Sequence, residues 1–257
     1  MDEQRLAGGR TVGAVRIADA VHRTAQPWTR WVHAVLRHLE ASGFTGAPRV
    51  LGFDEQGREM LSYLEGETVG EQRPWPGWVR SESALRQVGR WLRRLHDTAA
   101  TFIPPDDAVW FVGQEWRSGL VIGHHDAAPF NAVWRGGNLV GFIDWDTAGP
   151  DSREMDLAYV ALSWVPLYPV DVAVDLGYPA SDDRAGRLHV LLDAYGYDGD
   201  RVALGPTTAQ RAQINAEVIR RGAASGGPIY QALLPVAETM ERSARYVAAL
   251  PDTFWSR

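Results

Sequence analysis

The chain contains no cysteine and no lysine. Without cysteine no disulfide can form. Without lysine all 26 basic side chains are arginines, so any task that a lysine amine performs elsewhere must be handled differently here. Long apolar runs are also missing. The longest nearly apolar stretch, Leu157 to Val170, is interrupted by Ser163 and two prolines and falls short of the roughly 18–20 residues that span a bilayer. The opening Met1-Asp-Glu-Gln-Arg is followed by no apolar segment of the kind a signal peptide needs. The expectation is a cytoplasmic protein with no membrane partner. A net charge of -6 argues against a nucleic-acid partner and toward cationic ligands.

What is present is enough apolar material, 45% of 257 residues, for one large domain or two lobes sharing a cleft. From Leu6 to Arg23, short strands broken by Gly8-Gly9, Gly13 and Asp19 predict a small antiparallel sheet. Pro27 and Thr29 then open a helix whose apolar stripe runs through Trp31, Val32, Val35, Leu36 and Leu39 and stops at Ser42-Gly43. Two further strands are expected at Arg49 to Phe53 and Glu59 to Leu64. Beyond them the pattern turns helical, with Leu85, Val88, Trp91, Leu92 and Leu95 on one face of a helix from Ser81 to Ala99. A hairpin follows, turning at Arg135-Gly-Gly-Asn138. Helices are expected at Met155 to Val165, Arg187 to Tyr195, Thr208 to Gly222 and Ile229 to Leu250.

The segment richest in chemistry is Gly123-His-His-Asp126-Ala-Ala-Pro-Phe-Asn131, followed after the hairpin by Gly141-Phe-Ile-Asp144-Trp-Asp146. Phosphoryl transfer needs a group that orients and deprotonates the acceptor hydroxyl, together with hard oxygen ligands for Mg2+. Asp126 suits the first task, and Asn131 and Asp144 the second. His124 is the other catalytic-loop candidate, as a hydrogen-bonding brace rather than a proton carrier. Asp146 lies between a supporting metal partner and a surface carboxylate.

These motifs resemble the aminoglycoside phosphotransferase family, small-molecule relatives of protein kinases, with a His-Gly-Asp…Asn catalytic loop and an Ile-Asp-Trp-Asp/Glu metal loop. Leu61-Ser-Tyr-Leu-Glu-Gly66 resembles the family hinge, Leu92-Arg-Arg-Leu-His96 its first large-lobe helix and Asp156-Leu-Ala158 a later helix start. The resemblance implies a bilobal α+β protein-kinase-like fold. Residues 1–66 would form a nucleotide-binding lobe with an antiparallel sheet and one helix, and residues 67–257 a mainly helical catalytic and substrate lobe. It further implies ATP and Mg2+ as cofactors, with backbone groups of Ser62 and Leu64 reading the adenine between apolar walls such as Leu61 and Phe142 or Ile143. The glycines of Gly8 to Gly13 could cover the phosphates. The partner would be a small-molecule acceptor, cationic or polyhydroxyl, such as an aminoglycoside-like antibiotic or another amino alcohol or sugar.

Three departures stand out. The family's strand-three lysine is absent, and Val21-His22-Arg23 stands in its place, so Arg23 or, one residue out of register, His22 is the expected phosphate contact. Arg23 is preferred for its permanent charge and planar fork. Trp31, Val32 and His33 occupy the helix positions where a glutamate partner is expected, and His125 replaces the motif glycine. These changes keep open a second class of function, a kinase-like binding or immunity protein that sequesters a small molecule or peptide toxin without phosphorylating it.

Overall fold

The structure, a computed structural model, describes residues 3–6, 13–70 and 72–256. It is an α+β fold with an antiparallel sheet toward the N-terminus and helices toward the C-terminus. Two compact units can be distinguished, one made of residues up to 71 with Trp91–Arg153, the other of Gln72–Arg90 with Glu154–Arg257.

In the first unit, β1 (Gln4–Arg5), β2 (Ala14–Ile17), β3 (Ala20–Thr24), β4 (Val50–Phe53) and β5 (Arg58–Ser62) form one sheet in the order β1-β2-β3-β5-β4. The β3–β5 register sets Arg23 directly opposite Glu59 and His22 opposite Met60. Helix α1 (Thr29–Ala41) buries Trp31, Val32, His33, Val35, Leu36 and Leu39. Two two-stranded elements carry the remaining chemistry of this unit: β6 (Val121–Gly123) pairs with β9 (Gly149–Asp151), and β7 (Ala132–Arg135) with β8 (Asn138–Phe142) around the expected turn.

Close backbone approach locks the hairpin to the loop after α1. The Gly46 carbonyl accepts from the indole Nε1 of Trp91 at 2.9 Å and from the Phe142 amide at 3.2 Å. A Cβ on Gly141 would lie 2.4 Å from that same oxygen, so only glycine fits there.

In the second unit, α3 (Arg153–Trp164) opens with Arg153 of the first unit and is buried almost all round from Asp156 onward, as an interior helix must be if it is apolar on every face. It is followed by α4 (Val170–Asp175), α5 (Arg184–Tyr195), α6 (Leu204–Ala224), α7 (Pro228–Ala232), α8 (Leu234–Ala248) and α9 (Asp252–Trp255), while α2 (Glu82–Ala99) runs through both sets of residues. The helix expected from Ile229 to Leu250 is in fact two, parted at Leu233. Pro235 has no amide hydrogen for the helical ladder, and it takes a first-turn position of α8 where none is needed. Helix α4 escaped the sequence reading because Pro166 and Pro169 interrupt the pattern just before it. The strand expected to run to Leu64 ends at Ser62, and Gly8 to Val12, part of the expected phosphate-covering turn, lie outside the described residues. Among the described residues no helix is long and apolar enough to cross a membrane.

Candidate active site

The catalytic-loop residues leave β6 at Gly123 and reach β7 at Ala132, so the loop is pinned at both ends by strands. His125 takes the left-handed conformation, φ 62°, where the related motif has glycine. This backbone region is uncommon for a side chain, though histidine is among the residues enriched in it. Its imidazole is buried and donates from Nε2 to the Gly149 carbonyl at 3.0 Å, which anchors the loop to β9. His124 is also closed to solvent, with its ring against Trp145 and Phe142. It accepts the Asp126 amide at Nδ1 (3.2 Å), so its proton is on Nε2, which donates to the Ile143 carbonyl at 3.2 Å. His124 thereby ties the residue preceding Asp144 to the backbone of Asp126.

Asn131 completes the loop. Its Nδ2 donates to the Asp126 carboxylate at 2.7 Å and to the Asp126 carbonyl at 2.9 Å, while its own carbonyl accepts from the Ile143 amide at 2.9 Å. The last bond extends the β7–β8 ladder by one step, which brings Asn131 beside Asp144. Asp144 is itself left-handed, φ 62°, and a short 3-10 turn follows it. Strained residues of this kind, one before Asp126 and one at Asp144, persist where the surroundings over-determine them.

Across from the metal-loop residues stands Arg23. Its Nε donates to Glu59 Oε1 at 2.7 Å, Nη1 to Asp146 Oδ2 at 3.1 Å and to Asp144 Oδ1 at 3.3 Å, and Nη2 to Asp146 Oδ1 at 3.0 Å. Asp146 also accepts from the Trp28 indole at 3.1 Å, and Glu59 Oε2 accepts from His33 Nε2 at 2.8 Å. Burial opposes the charge on Arg23, yet Asp146, Glu59 and Asp144 together hold the guanidinium above its ordinary value. Asp146 is shifted upward: burial disfavours its charge, and repulsion from Asp144 and Glu59 adds to this against the pull of Arg23 and the Trp28 hydrogen bond.

Strand alternation sends His22 the other way, where Nδ1 meets Asp54 Oδ2 at 2.8 Å. Arg16, on β2, is engaged with Glu65 at 2.6 Å and lies over the Tyr63 ring. Ser62 ends β5, with its amide on the Arg49 carbonyl, and Leu64 follows two residues later. Phe142 is fully buried against Trp91, whereas Ile143 is only half-buried.

Two members of the cluster, Glu59 and Trp28, were not singled out by the sequence reading, and His33 was noted only as standing where a helix glutamate is expected. Glu59 had a visible signal: on β5 it alternates with Leu61 on the buried face, a charged residue at a core-facing position. The chemistry of the donor set suits Mg2+. Three carboxylates share one guanidinium, which leaves the cluster short of positive charge. Among the described residues no three His, Asp or Glu side chains form a ready-made metal cage. Magnesium commonly takes one or two protein oxygens and completes its shell with phosphate and water, and the Asn131 amide oxygen with Asp144 meets that need.

Comparison with known proteins bears on the family and the fold. The profile of the phosphotransferase enzyme family (APH) matches residues 14–117 and 111–203. A trifolitoxin immunity protein from Rhizobium leguminosarum bv. trifolii is 44% identical over 200 residues, covering 76% of this chain and 74% of that protein. Among solved structures, a choline/ethanolamine kinase family protein from Mesorhizobium loti superposes with a TM-score of 0.65 at 16% identity, over 98% of this chain and 90% of that one. Spectinomycin phosphotransferase, in complex with ADP and spectinomycin, superposes with a TM-score of 0.60 at 11% identity, over 96% and 92%.

Proposed function

The chain belongs to the phosphotransferase enzyme family, and on that premise we propose that it transfers the γ-phosphoryl group of ATP to a hydroxyl of a small molecule. The observation that carries this reading is the Asp126–Asn131–Asp144 geometry: one amide side chain holds the Asp126 carboxylate at 2.7 Å while the hairpin register lays the same residue beside Asp144. A base and two metal-type ligands are thus coupled through Asn131. Asp126 accepts the proton of the attacking hydroxyl, and Asn131 keeps its carboxylate oriented. His124 fixes the loop, with its own proton committed to the Ile143 carbonyl. Magnesium, held by Asn131 and Asp144, would neutralise charge on the phosphate oxygens. Arg23 fixes Asp144 and Asp146, and through them the metal loop. Backbone groups at Ser62 and Leu64 are the proposed adenine contacts.

The relative named as a trifolitoxin immunity protein supports a toxin as the molecule recognised. It also favours a second reading, protection by binding alone. In that reading Arg23, with its Nε, Nη1 and Nη2 all turned onto carboxylates, serves as a built-in counter-charge that makes metal unnecessary. Selection for a cationic ligand receives less support. Several carboxylates behind the net negative charge are paired, with Asp171 on Arg242, Asp193 on Arg201 and Glu241 on Arg220, and Asp183 caps α5.

Calorimetric titration with ATP, with and without Mg2+, separates the readings. Phosphoryl transfer requires metal-dependent nucleotide binding that weakens in Asp144→Ala. Absence of binding under both conditions would leave the sequestering role.

A further inference from the structure

His33 and Glu59 take no direct part in the proposed transfer, yet each is only about 1% exposed and they are joined by a 2.8 Å hydrogen bond. A carboxylate can only accept, so the His33 Nε2 carries the proton. Glu59 thus spends one oxygen on α1 and the other on the Arg23 Nε.

That use of Nε decides where the rest of Arg23 points. An arginine has a long flexible stem, and holding only its Nη end would leave the fork free to pivot. With Nε fixed by Glu59, Nη1 and Nη2 are directed together onto Asp144 and Asp146. Glu59 is in turn fixed twice, by its register opposite Arg23 and by His33. We propose that His33 and Glu59 are positioning residues which lock the Arg23 fork onto the metal loop, so that α1 acts on this loop through an imidazole and a strand carboxylate. The inference rests on the phosphotransferase reading. In a lysine-free chain it also explains why a histidine is tolerated at a buried helix position.

The test compares His33→Leu, which keeps bulk but donates nothing, with His33→Gln, which can still donate. Each is made alone and in an Arg23→Met background. Turnover with Mg·ATP should fall at least about tenfold in kcat for His33→Leu with the acceptor KM nearly unchanged, and His33→Gln should recover most of it. Adding His33→Leu to Arg23→Met should cost nothing further, because the pathway it serves is already gone. Independently of turnover, the Arg23 Nε–H proton resonance, identified by its loss in Arg23→Met, should move and exchange faster in His33→Leu and Glu59→Gln. Equal losses from His33→Leu in both backgrounds would overturn the proposal, as would an unmoved Arg23 resonance. A chain that turns over no acceptor would defeat the phosphotransferase reading instead, and the resonance would still decide whether His33 and Glu59 hold Arg23.

Discussion

Arg23 meets Asp146 fork to carboxylate, with Nη1 at 3.1 Å from one oxygen and Nη2 at 3.0 Å from the other. The arginine is 8% exposed and its partners include the enclosed Glu59 and the largely buried Asp146, so removing it strands two carboxylates away from water. Arg23→Ala is therefore expected to destabilise the fold by about 3–5 kcal/mol, the usual cost of breaking a buried ion pair from one side. His22→Ala, which loses only its bond to Asp54, should cost much less. Urea denaturation of both variants checks the ranking, and an equal effect would show that the Arg23 cluster is not the principal electrostatic tie of β3.

Asp126→Asn keeps the shape of the side chain and removes the proton acceptor. Turnover should drop by about 100- to 10,000-fold with the melting temperature little changed. Asp144→Ala should behave differently, raising the Mg2+ concentration needed for half-maximal rate. Titrating Mg2+ against initial rate in both variants distinguishes the two roles.

The contact between Gly141 and the Gly46 carbonyl predicts that Gly141→Ala costs about 1–3 kcal/mol, since backbone must shift to admit the methyl group. Gly13→Ala meets nothing within 4 Å and should stay within about 0.5 kcal/mol of the parent. Thermal melts of the pair test whether the hairpin is held by this approach.

Tyr178 is buried beneath Trp75 and Arg187, and its hydroxyl has no hydrogen-bond partner. Burial pushes its pKa from 10.0 up to about 12. A group raised on folding contributes nothing unfavourable below pH 10, where both states hold the proton. Between pH 10 and about 12 only the unfolded chain ionises, so stability should fall by about 1.4 kcal/mol per pH unit from this residue. Tyr178→Phe should remove that part of the alkaline slope and be neutral or stabilising at pH 7, because an unsatisfied hydroxyl is lost. A marked loss of stability at pH 7 would mean that the hydroxyl is bonded in solution.

The elements carrying local signals were legible in the sequence. The stripe of α1, the Arg135–Asn138 turn and the spacing of Asp126, Asn131 and Asp144 all lie within short stretches whose periodicity or turn chemistry is read residue by residue. The Arg23 cluster was not legible as a whole, because its members come from β3, α1, β5 and the metal loop, and its geometry depends on the β3–β5 register. The resembled family has a glutamate on this helix, and the sequence shows none at those positions of α1. The carboxylate comes instead from the strand opposite Arg23, and α1 supplies a histidine to that carboxylate. Alternation predicted that His22 and Arg23 face opposite ways, and Arg23 is the one directed toward Asp144 and Asp146.

Phosphoryl transfer itself is tested most directly by incubating the purified chain with Mg·ATP and a panel of hydroxyl-bearing antimicrobials, amino alcohols and sugars, with acceptor masses followed by mass spectrometry. At least one acceptor should gain a single phosphoryl group, in step with ADP release, and Asp126→Asn should abolish this. An antimicrobial held tightly by the chain but never phosphorylated, or one phosphorylated equally well by Asp126→Asn, would contradict the proposed function.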